Sequence, residues 1–62
     1  MKPTEVKKYL NKTVYYKGHP YIFVEAVFWK KKDEFMYSAV LKELNTKSTV
    51  RCRLEEVEVE QG

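Results

Sequence analysis

Cysteine is almost missing: Cys52 is the only one among 62 residues. Neither an intrachain disulfide nor a cysteine-cluster zinc site can form. Small secreted domains usually depend on disulfides, so their absence points to a reducing, cytoplasmic setting. Glycine is nearly as scarce. Gly18 and Gly62 stand far apart and build no phosphate-cradling loop. Histidine and aspartate occur once each. His19 sits in a Gly-His-Pro turn and Asp33 follows a lysine run, so no acid–base pair is in view. Alternation in an extended chain splits the glutamates at 55, 56, 58 and 60 across its two faces. They do not converge as a hard-cation site requires. No apolar run is long enough to span a bilayer, and Met1-Lys2-Pro3-Thr4-Glu5 leads into a polar, amphipathic segment rather than a signal sequence. The expectation is a soluble protein with no membrane partner, no metal, no cofactor and no catalysis of its own.

What is present suits a small folded domain. Apolar residues make up 44% of the chain, too much for a disordered segment. One domain over 1–62 is expected, with no room for a deep cleft, since a chain this short buries only about 60% of its unfolded surface. The net charge is +3 and the pI near 9.0. That balance permits nucleic-acid binding without demanding it. Lysines gather in the first half and at 30–32, whereas the C-terminus is acidic.

The pattern predicts a helix over about 4–10, capped by Thr4 and stopped by a left-handed Asn11. Val6, Tyr9 and Leu10 form its apolar stripe. Strands are predicted over about 12–17, 21–29, 35–44, 49–54 and 58–60, from β-branched and aromatic enrichment between turn signals. Leu54-Glu55-Glu56-Val57 forms a tight turn before the last strand. Cys52 alternates with Val50 and Leu54 on the apolar side, as a buried and inert thiol. The fold class is mainly β: a small five-stranded barrel or bent antiparallel sheet with a short N-terminal helix.

The spacing Leu10-x-Lys12-x-Val14-x-Tyr16-x-Gly18-x-x-Tyr21, then two long strands, then Leu54-Glu55-Glu56-Val57 before a short last strand, resembles an SH3-like barrel of the Tudor or KOW type. It is similar to small stand-alone proteins of bacteriophages and mobile elements of Gram-positive bacteria. The acidic-aromatic opening motif and tryptophan pair of peptide-binding SH3 domains are absent. Neither polyproline binding nor methyl-lysine reading is implied.

Residues 21–29, Tyr-Ile-Phe-Val-Glu-Ala-Val-Phe-Trp, break the alternation expected of a half-buried strand: only Glu25 is polar. Ile22, Val24, Ala26 and Phe28 form one set, suited to a barrel core. Tyr21, Phe23, Glu25, Val27 and Trp29 form the other. Two explanations stand. A bulge switches the inward set, with the N-terminal helix covering part of the outer face; or a partner buries the second face. On the second reading Tyr21, Phe23, Val27 and Trp29, rimmed by Lys30, Lys31 and Lys32, dock on and modulate a larger protein, inhibition of an enzyme being one form. Self-association as a homodimer is the other. The rival reading is a nucleic-acid-binding accessory protein using Lys30, Lys31, Lys32, Arg51 and Arg53, with Trp29 as a stacking platform.

Overall fold

The structure, a computed structural model, describes residues 1–59. Four antiparallel strands lie in chain order in one sheet: β1 (Thr13–Tyr16), β2 (His19–Lys31), β3 (Glu34–Glu43) and β4 (Thr49–Arg53). The sheet curls into a half-barrel. The expected fifth strand is reduced to a bridge. Tyr15 and Glu58 exchange two backbone hydrogen bonds, of 2.8 and 2.7 Å. Glu60, the end of that expected strand, lies outside the described residues.

The N-terminal segment starts as a 3-10 turn (Pro3–Glu5) and continues as α1 (Val6–Tyr9). Glu5, not Thr4, does the capping: its carboxylate accepts the Lys2 backbone N–H at 2.9 Å. A carboxylate at this end also suits the orphan donors there. Asn11 adopts φ 64 and ends the helix. The backbone then enters the sheet at once, with Asn11 N–H donating to Phe23 O (2.8 Å) and Phe23 N–H to Lys12 O (3.0 Å).

The turns are tighter than the sequence suggests. His19 and Pro20 already belong to β2, so only Lys17 and Gly18 link β1 to β2, with φ 51 and 79. Positive φ at both central residues is the signature of a type I′ hairpin turn, whose twist matches the flanking strands. Lys32 and Asp33 alone link β2 to β3, with Lys32 at φ 56.

The core lies on the concave face. Val14, Phe23, Ala39, Leu41, Leu54 and Val57 are buried there. Met1, Val6, Tyr9 and Leu10 pack against this cluster from the open side. The helix therefore packs Val6, Tyr9 and Leu10 on the Phe23 side of β2, as expected, but that side is the concave core and not an outer face, so the helix closes the half-barrel. Two turns of helix are unstable alone in water, and this docking supplies what they lack. The 3-10 turn Leu54–Glu56 brings Leu54 and Val57 beneath the sheet. The N-terminal amino group donates to Val57 O (2.5 Å) and Leu54 O (3.3 Å), tying the N-terminus to the segment that follows β4.

Candidate interaction surface on the β2–β3 ribbon

Strand β2 carries a bulge. Phe23 pairs with Leu41 and Glu25 with Val40, which leaves Val24 as the extra residue. One inserted residue exchanges the two faces of everything beyond it. Before the bulge, Tyr21 and Phe23 point inward, opposite Glu43 and Leu41; beyond it, Ala26 and Phe28 point inward, opposite Ala39 and Tyr37. Neither sequence-derived set survives intact. Ile22 and Val24 were expected in the core and lie outside it; Phe23 was expected at a partner surface and is 0% exposed.

The expected docking residues thus part company. Tyr21 is half-buried and packs against the core, its ring centroid 6.2 Å from that of Tyr16. Phe23 is the largest fully buried side chain. Both face the concave side, away from Val27 and Trp29. Val27 and Trp29 keep their places on the outer face, opposite Ser38 and Met36. Trp29 is 41% exposed.

The distal part of β2–β3 extends beyond the core. β1 covers β2 only as far as Ile22, with Lys12 extending that contact to Phe23, and β4 covers β3 only from Ser38 to Lys42. Between them, residues 28–31 and 34–37 pair only with each other among the described residues. This two-stranded ribbon is apolar on both sides. Its inner side holds Phe28 (65% exposed), Phe35 (57%) and Tyr37, with the Phe28 and Tyr37 centroids 6.0 Å apart. Below Phe35 and Tyr37, a groove of about 260 Å³ runs to Met1, Pro3 and Leu54. The outer side holds Trp29 and Met36.

The basic residues are also sorted by the pleat. Lys30 faces inward, its Nζ 5.9 Å from the Phe35 ring centroid. Lys31 faces outward opposite Glu34, and Lys32 occupies the turn. The three lysines are therefore not one patch. Arg51 and Arg53 pair with Val40 and Ser38, which places them on the same outer face as Val27 and Trp29. Arg53 also meets Glu55 at 3.6 Å, both side chains well exposed, so that ion pair contributes little stability. The outer face reads as an apolar row, Ile22, Val27, Trp29, Met36 and Val40, bordered by Lys31, Lys42, Arg51 and Arg53. Glu25 and Glu34 are its acidic members.

Other chemistry-bearing groups stand apart. His19 is exposed, beside a shallow hollow at the opposite end of the sheet with Leu44 and Thr46. Cys52 packs against the core opposite Ala39 but is half-buried, not buried as expected. Burial, and secondarily the charge of Glu56, push its thiol pKa above the ordinary value. It is held as a neutral thiol, which is a poor nucleophile. Among the described residues, no three of His, Cys, Asp and Glu come together as a metal site would need. No helix is long and apolar enough to cross a membrane. Sequence reasoning did not find Met36 and Val40 as part of the surface. The signal was there in their spacing, but it could be placed only once the bulge was known. Among protein-family models, curated proteins and solved structures, none matches this chain.

Proposed function

We propose that the protein is a non-enzymatic binding module. It docks on a larger protein through the outer face of the β2–β3 ribbon, with Trp29 and Val27 at the centre and Lys31, Arg51 and Arg53 at the border. One observation carries this reading: a 41% exposed tryptophan stands on an apolar row outside the core, with arginines on the same face. Trp and Arg are the residues most enriched at the energetic centres of interfaces. The charge balance of the border suits a partner whose apolar site is ringed by carboxylates. The resemblance to small Tudor- or KOW-like proteins of phages and mobile elements supports modulation, including inhibition, of a host enzyme as the setting.

A second reading has one observation behind it. Trp29 shares its face with Arg51, Arg53 and Lys31, which suits stacking and phosphate contact with a single-stranded nucleic acid. We rank it second because Lys30 and Lys32 lie off that face. The two readings separate by salt. Binding to phosphates weakens steeply as salt rises; docking centred on an apolar row does not. The test uses immobilised protein against bacterial lysate, with fluorescence anisotropy on a single-stranded oligonucleotide in parallel. Support is a protein captured at low and high salt by the wild type and lost with Trp29→Ala, with no oligonucleotide binding. Oligonucleotide binding with a steep salt slope, lost with Arg51→Ser and Arg53→Ser, overturns the first reading in favour of the second.

A further inference from the structure

The sheet leaves several edges, and they are not alike. The edge of β1 carries the Glu58 bridge. The edge of β4 is five residues long and bears Arg51 and Arg53, the charged, short form that discourages pairing. The edge of β2 beyond the bulge has no bridge and is longer, and its charges, Glu25, Lys30 and Lys31, are of both signs rather than one. Phe23 shows which way the backbone points. Both its N–H and its C=O bond toward the β1 side, to Lys12 and Asn11. On β2, then, inward-facing residues aim their backbone groups at that side. Past the bulge these are Ala26, Phe28 and Lys30. Among the described residues, no strand lies there to receive them.

The residues along this edge read Glu25-Ala26-Val27-Phe28-Trp29-Lys30-Lys31, and this stretch is complementary to its own reverse. We propose that two copies of the chain pair antiparallel along residues 25–31 of β2, about a two-fold axis at Phe28. On the outer face Glu25 then stands opposite the partner's Lys31, and Val27 opposite the partner's Trp29. On the inner face Phe28 meets the partner's Phe28. Each of these is a favourable cross-strand pairing: opposite charges, an aromatic with a β-branched residue, and two aromatics. The backbone agrees with this register. Ala26, Phe28 and Lys30 become the hydrogen-bonded positions, exchanging two bonds per pair as an antiparallel ladder requires.

Neighbouring registers are worse. An axis at Val27 sets Glu25 against the partner's Trp29 and loses both ion pairs. An axis at Trp29 sets Glu25 beyond the end of the partner's β2, at its turn, and loses both ion pairs. Isologous pairing of this kind closes on itself, so it yields a dimer and not a fibre. It also gives the ribbon the neighbour it lacks, since a two-stranded ribbon alone is marginal in water. The outer faces of the two copies join into one continuous surface with two Trp29 rows. This pairing does not rest on the identity of any larger partner.

The test is solution mass by light scattering over a range of concentrations, with circular dichroism confirming the fold of each variant. The wild type is expected to show the mass of two chains. Glu25→Lys and Lys31→Glu each bring like charges together twice, and each should raise the dimer Kd roughly tenfold or more. Mixed in equal amounts, the two variants oppose unlike charges again and should re-form a dimer. Lys30→Pro removes a free-edge N–H without touching the β3 ladder, which proline tolerates on an edge; it should give a folded monomer. A wild type that stays monomeric to about 1 mM overturns the proposal and leaves the edge to an extended segment of another protein. A dimer unchanged by the charge variants, failure of the mixture to recover it, or a folded Lys30→Pro dimer each overturns it as well.

Discussion

Phe23 and Phe28 stand five residues apart on one strand and face the same side, yet the structure assigns them opposite energetic weight. Phe23 is 0% exposed and packed among Val14, Leu41, Leu54 and Val57. Phe28 is 65% exposed. Truncating a buried phenylalanine to alanine costs about 3–5 kcal/mol, from lost transfer energy and the cavity left behind. Total stability at about 0.05–0.15 kcal/mol per residue puts a chain of this length near 3–9 kcal/mol. Phe23→Ala therefore removes between about a third and all of what holds the fold. Phe28→Ala, at a surface position, should change monomer stability by no more than about 0.5 kcal/mol. Urea unfolding followed by Trp29 fluorescence separates them, read at the lowest workable concentration so that association does not contribute. With a slope near 1 kcal/mol per molar, Phe23→Ala moves the midpoint down by about 3 M or leaves no folded baseline. Phe28→Ala leaves it nearly in place. Equal losses from the two variants, or a Phe23→Ala loss under about 1 kcal/mol, would refute the bulge-switched core.

Two smaller effects follow from the backbone and from Cys52. Lys17 holds φ 51 beside Gly18, a conformation that costs a side chain like lysine about 1 kcal/mol and asparagine less. Lys17→Asn creates the preferred Asn-Gly pair for this turn and should raise the unfolding midpoint by the equivalent of about 0.5–1 kcal/mol in a thermal or urea melt; a lower midpoint contradicts the turn assignment. Burial holds the Cys52 thiol above its ordinary value of 9.0. A raised folded pKa contributes stability that is complete below the unfolded value and is lost as pH rises through the folded one. Alkaline conditions above about pH 9 should therefore destabilise the wild type more than Cys52→Ser. Iodoacetamide should label Cys52 more slowly in the folded protein than in urea, and equal rates would place the thiol on the surface.

The sheet was legible because the turns are local. Lys17-Gly18 and the polar stretch after Trp29 punctuate strands rich in β-branched and aromatic residues, and those signals act over two or three residues. The left-handed Asn11 was legible for the same reason. The cap was misplaced from Glu5 to Thr4 because a helix start depends on which backbone donors are left unpaired, and the 3-10 turn at Pro3–Glu5 shifted them.

The sequence by itself determined that this is a mainly β chain with one short helix and a strand too apolar for a single buried face. It could not say which residues of that strand face inward. Alternation is a relative rule: it sorts residues into two sets but carries no absolute direction, and one inserted residue reverses the sorting. Only the tertiary structure located that insertion at Val24, between Phe23–Leu41 and Glu25–Val40. That single backbone event let Phe23 face the core while Val27 and Trp29 face outward with Arg51 and Arg53. The physical reason is that inward direction is fixed by pairing with strands far away in sequence, and β3 supplies that reference from a dozen or more residues downstream.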